Sequence, residues 1–208
     1  MRYGYIIADN VEFVNVSQKD VGKGGLRFEG SLGTTGVYSR ISNSAIHNGQ
    51  DWGLSMLNAN NIEIVDNVFV GWRAIGIRID STRNITFTGN FVGDVRDRGI
   101  NFTGMTIDKM GCVAFGSYTE GTTNHDAKFS GNIAAGCPYA GFVAPAYVEC
   151  GGSNDNFKDN VAHSSSRYGA YAYANPVGTK NNACVEWSHF SAYKTAEACA
   201  VSVVKTEL

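Results

Sequence analysis

Apolar and polar residues alternate in short segments along the chain, and most of these segments begin at a glycine. Examples are Gly25-Leu26-Arg27-Phe28, Gly76-Ile77-Arg78-Ile79 and Gly141-Phe142-Val143-Ala144. A period of two places successive side chains on opposite faces, which is typical of β-strands. Glycine suits the sharp corner before such a strand, because it adopts positive φ and lets another segment approach closely. The pattern therefore predicts an all-β chain of short strands.

The glycine-led strand recurs along the sequence at intervals of 21 to 42 residues. Its copies begin at Gly4, Gly25, Gly53, Gly76, Gly99, Gly141 and Gly169, with a degenerate copy at Ala198. A second alternating segment precedes many copies, as at residues 62–67 and 85–90. Two or three strands per repeat of this length form one coil of a parallel β-helix, whose core exists only because the coils stack. We predict a single-stranded, right-handed parallel β-helix, a solenoid of about seven to eight coils.

The longest interval, between Gly99 and Gly141, predicts one inserted loop at about residues 104–126. Residues 1–208 form one β-helix segment in this interpretation. Both ends fall within predicted strands, and we therefore expect the segment to belong to a longer chain. The predicted inward residues of the glycine-led strands are Leu26/Phe28, Leu54/Met56, Ile77/Ile79, Ile100/Phe102, Phe142/Ala144 and Ala170/Ala172.

One turn position carries asparagine in four repeats. These residues are Asn67, Asn90, Asn132 and Asn160. Stacked asparagine amides can hydrogen bond from one coil to the next, which would make them a structural ladder. The alternative is a turn residue in the left-handed region, which asparagine tolerates well. Both roles are structural, and neither involves chemistry on a ligand.

Composition narrows the classes of protein. Hydrophobic residues make up 43% of the chain, enough for a sizeable core, which excludes a disordered protein. A net charge of −2 with interspersed signs provides no basic face for nucleic acid. Apolar runs are too short to span a membrane or to act as a signal peptide, so membrane attachment would require a tether outside this segment. No spacing of histidine and cysteine indicates a metal site, and we predict no cofactor.

The chain contains five cysteines, namely Cys112, Cys137, Cys150, Cys184 and Cys199. They could be buried thiols that pack as small hydrophobic groups, or disulfides formed in an oxidising compartment. If disulfides form, the spacing favours Cys112 with either Cys137 or Cys150, which would attach the insertion to the stack. It also favours Cys184 with Cys199. A strand of about 25 Å would separate Cys137 from Cys150, too far for a disulfide between them.

Charged residues cluster on the outward side of the glycine-led strands. Stacking would bring Arg78, Asp80, Asp97 and Arg98 into one neighbourhood. Opposite charges on adjacent coils usually form solvated surface pairs, which contribute little to stability. The alternative is a glycosidase-type carboxylate pair of Asp80 and Asp97, with Arg98 beside it.

Aromatic residues are the most suggestive outward feature. Together with Arg78, the predicted binding residues are Trp52, Trp72, Tyr139, Tyr168, Tyr171 and Tyr173. Flat rings beside polar side chains suit a sugar ring or a protein partner. The alternative is that these rings cover the edges of the core at the corners of the coils.

Two segments resemble a known family. Residues 61–71 followed by Gly76-Ile77 are similar to the parallel β-helix repeats of pectate-lyase-like proteins. The run N-I-T-F-T-G-N at residues 84–90, before R-G-I-N-F at 98–102, resembles the extracellular β-helix of the fibrocystin and fibrocystin-like (polyductin) family. The resemblance covers roughly residues 10–200. The small β-rich domain that precedes the helix in this family is not visible in the sequence.

The resemblance implies a large secreted or membrane-tethered surface protein, often ciliary, without established catalysis. We therefore expect a non-catalytic β-helix that acts as a rigid structural and binding module, with carbohydrate, other extracellular proteins or neighbouring domains as partners. A related branch of cell-surface proteins degrades hyaluronan, so a polysaccharide-degrading lyase or glycoside hydrolase is the first alternative. A structural unit that assembles through its open sheet edges is the second.

Overall fold

The computed structural model describes residues 5–18, 24–30, 38–80, 82–96, 111–115, 125–143, 148–149, 157–173, 183–184 and 187–203. In these ranges all regular secondary structure is β, as the alternating pattern predicts. None of the described residues forms a helix long and apolar enough to cross a membrane.

Three parallel sheets contain nearly all of the strands, and the order within each sheet follows the order along the chain. The first sheet consists of β1 (Ile7–Asp9), β4 (Ser39–Ser42), β7 (Asn60–Val65), β10 (Arg83–Thr88), β13 (His125–Ser130) and β17 (Phe157–Lys158). The second consists of β2 (Glu12–Val14), β5 (Ala45–His47), β8 (Val68–Arg73), β11 (Phe91–Arg96), β14 (Ile133–Ala135), β18 (Val161–His163) and β21 (Ser191–Tyr193). The third consists of β3 (Leu26–Glu29), β6 (Leu54–Leu57), β9 (Ile77–Asp80), β12 (Gly111–Phe115), β15 (Ala140–Val143), β19 (Tyr168–Tyr173) and β22 (Ala198–Val203). A separate antiparallel pair joins β16 (Val148–Glu149) to β20 (Ala183–Cys184).

The chain visits the three sheets in turn; each of the first six visits adds one strand to each sheet, and the last adds β21 and β22 to the second and third sheets. We call one such visit a repeat; the first is β1, β2 and β3, and the second is β4, β5 and β6. Parallel neighbours in a sheet lie about 4.8 Å apart, so each repeat is displaced by that distance from the one before it. This architecture is consistent with a parallel β-helix.

Inward side chains from all three sheets fill the interior. The buried set includes Ile41, Ile64, Phe87, Phe129 and Phe157 from the first sheet, Ile46, Phe69, Val92, Ala134 and Ala162 from the second, and Leu54, Ile77, Val113, Phe142 and Ala170 from the third. The second sheet therefore changes from phenylalanine to alanine along the stack while the first changes from isoleucine to phenylalanine. Where the side chains of the second sheet become smaller, those of the first become larger. This keeps the interior filled, and protein cores contain few voids.

The third strand of the fourth repeat differs from the sequence prediction. We expected a strand led by Gly99, with Ile100 and Phe102 inward, but β9 pairs with β12, where Val113 lies beside Ile77. The prediction that residues 99–102 form the strand beside β9 is therefore wrong. Residues 97–110 lie outside the described residues. Gly99 follows Gly76 at the usual interval of 23 residues, which made it the regular choice.

The bounds of the predicted insertion change for the same reason. Residues 111–115 form a full strand of the third sheet, and β13 begins at residue 125. All of β12 and the first two residues of β13 therefore lie inside the predicted loop of 104–126. Gly111 starts a segment that is apolar at every position, and a Cβ at Gly111 would lie 2.8 Å from the carbonyl oxygen of Ala140. The close approach of neighbouring strands explains why glycine leads this strand.

The four asparagines form a hydrogen-bonded ladder in the interior. The Nδ2 group of Asn67 donates to Oδ1 of Asn90 (3.1 Å), Asn90 donates to Asn132 (3.2 Å), and Asn132 donates to Asn160 (2.9 Å). Each of these Oδ1 atoms also accepts the backbone N–H of the preceding ladder residue at 3.0 Å. Ser44 continues the ladder toward the first repeat, because its backbone N–H donates to Asn67.

The left-handed turn conformation belongs to the residue before each ladder asparagine. Positive φ angles of 55° to 68° occur at Asp66, Gly89, Gly131 and Asp159, and not at the asparagines themselves. The turn therefore aims the following side chain inward, where its amide bonds backbone groups of the preceding repeat and, at Asn67, Asn90 and Asn132, the amide oxygen of the next ladder residue. The alternative of a left-handed asparagine is wrong at these four positions.

One disulfide joins the fourth repeat to the fifth. Cys112 in β12 is bonded to Cys137, which lies between β14 and β15, and both residues are buried. Of the two partners that the sequence left open for Cys112, the structure has Cys137; Cys150 lies outside the described residues. Cys199 is exposed and free, so the predicted pair of Cys184 and Cys199 is wrong.

Candidate functional site

Four of the predicted binding aromatics, Trp52, Tyr139, Tyr168 and Tyr171, belong to a second apolar cluster on the outer side of the third sheet. Its buried members are Trp52, Ala74, Ile75, Ala114, Tyr139, Ala140 and Val143, with Tyr168 and Tyr171 half-buried against them. Large rings next to small aliphatic side chains therefore cover this sheet. The rings serve in part as a cover for the sheet, which is the alternative that the sequence left open.

Trp52 forms one end of this cluster together with charged neighbours. The guanidinium of Arg78 lies over the indole of Trp52, 5.0 Å from the ring centroid, and donates to Asp80 over 3.2 Å. Trp52 is only 5% exposed, so its ring offers little surface to a ligand. Arg78 is the accessible part of this group and can donate hydrogen bonds outward.

Trp72 does not lie on the surface as predicted. Its side chain is fully buried in the main core, at the corner between the second and third sheets. Gly49 and Gly53 leave the space that the indole occupies, because a Cβ at Gly53 would lie 2.7 Å from Trp72 Cε2 and one at Gly49 would collide with the ring. The expectation of an outward ring at Trp72 is therefore wrong. The indole can be buried because these two glycines have no side chains.

Three tyrosines, one buried and two half-buried, pack together on the outer side of the third sheet. We call Tyr139, Tyr168 and Tyr171 the tyrosine cluster. The rings of Tyr168 and Tyr171 stack with centroids 5.3 Å apart, and both meet the buried ring of Tyr139 edge-on at 5.2 and 5.4 Å. Tyr139 thus holds the other two rings in place from below, which reduces the freedom that a ligand would have to remove.

An ion pair borders the tyrosine cluster. Arg167 lies 5.6 Å from the ring centroid of Tyr139, and its Nε is 2.7 Å from Oε1 of Glu197. The Tyr168 hydroxyl donates to Glu197, and this bond, followed by partial burial and the charge of Glu197, raises the pKa of Tyr168 above its ordinary value. The site therefore combines two stacked rings with a guanidinium and a carboxylate at their edge.

The Tyr168 pKa provides a test of this contact. Replacing Glu197 by glutamine should lower the pKa of Tyr168 toward its ordinary value, because removal of the negative charge makes the phenolate less unfavourable. The hydrogen bond contributes stability at neutral pH and loses it only as the pH rises through the raised pKa. Titration of ¹³Cζ-labelled tyrosine by NMR measures the change, and the Tyr38 signal, at the other end of the stack, should be the same in both proteins. An unchanged Tyr168 titration would contradict the contact.

The remaining predicted residues divide into described and undescribed ones. Asp80 is ion-paired with Arg78, while Asp97 and Arg98 lie outside the described residues. Tyr173 ends β19, but its side chain is not described. Among the side chains that the structure describes, no group of three or more histidine, cysteine, aspartate or glutamate residues could hold a metal ion.

A polar cleft of about 200 Å³ opens at the corner between the second and third sheets. Its lining residues are Asn48, Gly49, Gln50, Gly71, Trp72, Arg73 and Arg96. Arg73 and Arg96 are neighbours in the register of β8 and β11, and Arg96 is paired with Asp94 at 2.9 Å. The cleft is rich in hydrogen-bond donors, and sequence reasoning did not find it because its residues come from corners of three repeats.

The outer face of the second sheet is the largest feature that sequence reasoning missed. Two rows of outward side chains run across its strands. The first row is Glu12, Ala45, Val68, Phe91, Ile133, Val161 and Ser191, and the second is Val14, His47, Val70, Gly93, Ala135, His163 and Tyr193. From β5 to β18 these rows contain only apolar residues and two histidines, whereas the outward side of the first sheet carries Arg40, Glu63, Lys128 and Lys158.

A signal for this face is present in the sequence. The second-sheet segments Val68-Phe69-Val70 and Ile133-Ala134-Ala135 are apolar at every position rather than at alternate ones. Continuous apolar strands are typical of parallel sheets that are covered on both sides. The binding surface was predicted on the glycine-led strands of the third sheet instead, because their repeat was the clearer pattern in the sequence.

Fold and surface together define an all-β protein of stacked parallel strands, with an aromatic and charged cluster on one side and an apolar sheet face on another. Comparisons of the chain with protein-family models, with curated proteins and with solved structures found no match.

Proposed function

We propose that the chain is a single-stranded, right-handed parallel β-helix of about seven to eight coils and that it works as a rigid, non-catalytic binding module. The cyclic visit of the chain to three parallel sheets supports the helical path. Rigidity is supported by the aromatic interior, the buried asparagine ladder and the covalent bond between Cys112 and Cys137. A rod of this kind holds binding groups at fixed spacing along its surface.

An extracellular or cell-surface location is part of the proposal, as in the fibrocystin-like proteins that the sequence resembles. The disulfide supports it, because such bonds form and persist in oxidising compartments and are rare in the cytosol. In that setting the segment would serve as a structural spacer, ciliary or otherwise, within a larger surface protein.

The tyrosine cluster is the observation that carries the binding role. Stacked Tyr168 and Tyr171 present ring faces, and Arg167 and Glu197 supply hydrogen-bonding groups at their edge. Aromatic faces pack against the apolar C–H faces of sugar rings, while charged groups bond the hydroxyls. We therefore assign carbohydrate as the ligand class for this cluster.

Removal of the exposed rings tests the proposal. The doubly substituted protein Tyr168→Ala/Tyr171→Ala should bind at least about tenfold more weakly, a loss of about 1.4 kcal/mol, to any oligosaccharide that the wild-type protein retains on a glycan array. Calorimetric titration with the retained oligosaccharide measures the loss. Tyr139 is left in place, because it is buried and its removal would disturb the fold.

Tyr38→Ala is the matched control, since Tyr38 is an exposed tyrosine next to the first sheet and outside the cluster. It should bind as the wild-type protein does. Equal weakening in the control, equal binding by the double variant, or no retained oligosaccharide on the array would each contradict carbohydrate binding at the tyrosine cluster.

A further inference from the structure

From β5 to β18 the outward rows of the second sheet contain only apolar residues and two histidines, and no described element covers them. We call the two outward rows from β2 to β21 the apolar face. Val68 is 43% exposed, Ile133 38% and Tyr193 50%, although each lies in a regular strand. Scattered exposed apolar residues are ordinary, but a contiguous row across successive strands marks an interaction site.

The apolar face is also flat. At its centre the ring of Phe91 lies back over Gly93, where a Cβ would be 2.7 Å from Phe91 Cε1. Ala45 and Ala135 add little height on either side of it. Such a surface suits another flat surface.

We propose that the apolar face binds the same face of a second copy of this chain, with the two stacks antiparallel. The two-fold axis crosses β11, the fourth of the seven strands. Val68 then packs on Ile133 of the second copy, and the Phe91 rings of both copies meet at the axis. The contact is isologous, so each unlike pair forms twice.

Matching periods favour a second copy over an unrelated partner. Every strand of the face is displaced by about 4.8 Å from its neighbour, and only a surface with that same spacing stays in register over seven strands. A second copy of the chain has this spacing because it has the same strands.

Charge at the two ends of the face gives the antiparallel direction. The β2 end carries Glu12, whose carboxylate lies 2.8 Å from Nε2 of His47 on β5. The β21 end carries the exposed Lys194. Antiparallel docking places each acidic end beside the basic end of the other copy, whereas parallel docking would bring like charges together.

The size of the face sets the expected strength of the contact. Seven strands span about 30 Å, and two outward rows with the flanking corners about 20 Å, so each copy would bury about 600 Å². A total near 1,200 Å² is at the small end of specific interfaces and corresponds to reversible dimers. We expect dissociation constants in the micromolar range.

Sedimentation velocity over a range of about 1 to 300 µM tests the dimer. The wild-type mass should rise from 22.3 kDa toward twice that value. Val68→Asp/Ile133→Asp should remain monomeric, because antiparallel docking places the two new carboxylates opposite each other. Val68→Thr/Ile133→Thr keeps the β-branched shape and should weaken association several-fold without affecting folding. Thr86→Asp/Ser130→Asp is the control. It introduces two aspartates on the outer side of the first sheet, away from the apolar face, and should dimerise as the wild-type protein does.

A charge-pair variant separates the antiparallel arrangement from other modes. Val68→Asp/Ile133→Lys should regain dimerisation relative to Val68→Asp/Ile133→Asp, because opposite charges then face each other. A wild-type protein that stays monomeric to 300 µM would overturn the proposal, as would a dimer that the first-sheet control weakens equally. A charge-pair variant that stays monomeric overturns the antiparallel direction. Circular dichroism melting curves identify the variants that are folded and enter the comparison.

Discussion

Replacing Asn132 by alanine is expected to lower the free energy of unfolding by about 4 kcal/mol. The Asn132 amide accepts from the backbone N–H and Nδ2 of Asn90 and donates to Asn160 and to the carbonyl of Phe87. Alanine leaves these groups in a dry interior with fewer partners, and each buried group that loses its bond costs about 1–3 kcal/mol. Chemical denaturation of the two proteins measures the difference.

Thr88→Ala is the matched control for the ladder. Thr88 also contacts the next repeat, through Ser130 at 3.4 Å, but on the partly solvated outer side of the first sheet. Water replaces that bond, so the control should lose less than about 0.5 kcal/mol. If the two substitutions destabilised the protein equally, the ladder would have no special part in joining the repeats.

Reduction of the Cys112–Cys137 bond is expected to lower the free energy of unfolding by about 3 kcal/mol, or roughly 10 °C in melting temperature. The bond closes a loop with a sequence separation of 25 residues, and opening it restores conformational freedom to the unfolded chain. Thermal unfolding with and without a thiol reductant measures this shift.

Two variants distinguish this disulfide from the other cysteines. Cys112→Ala/Cys137→Ala should already be destabilised and should no longer respond to reductant. Cys199→Ser should behave as the wild-type protein does, because Cys199 is exposed and unbonded. A wild-type melting temperature that does not change on reduction would show that the bond contributes nothing to stability.

The asparagine ladder was accessible from sequence because one residue type recurs at one position. Asn67, Asn90, Asn132 and Asn160 each follow a turn residue and precede an apolar strand, which fixes them to the same corner of each repeat. Each corner repeats the same backbone geometry, so a side chain that bonds its equivalent neighbour once does so at every step. Local regularity of this kind is visible in a single sequence.

The position of β12 was not accessible in the same way. Gly99 begins an alternating segment and Gly111 a continuously apolar one, so both the alternation and the period favour Gly99. The choice depends on contacts between distant segments: Val113 fits beside Ile77, and Cys112 reaches Cys137. Spacing along the chain limited the partners of Cys112 to Cys137 and Cys150, but it contained no information that would place Val113 beside Ile77.

Trp72 shows the same limit within the candidate site. An indole among polar corner residues suggests an exposed ring, and only the stacking of Gly49 and Gly53 against it creates the space in which it is buried. Tyr168 and Tyr171 remain half-buried, because their rings pack against Tyr139 outside the third sheet and do not enter the main core.

The disulfide has a consequence for the way the molecule would respond to mechanical force. Hydrogen bonds between repeats run across the strands, so tension applied along the stack would peel the repeats off one at a time. The covalent link between Cys112 and Cys137 stops this peeling at the junction of the fourth and fifth repeats. Without the bond, the segment between the two cysteines, with its sequence separation of 25 residues, could extend to about 85 Å, at about 3.4 Å per residue. A redox change at one buried pair therefore sets how far the molecule can lengthen under load.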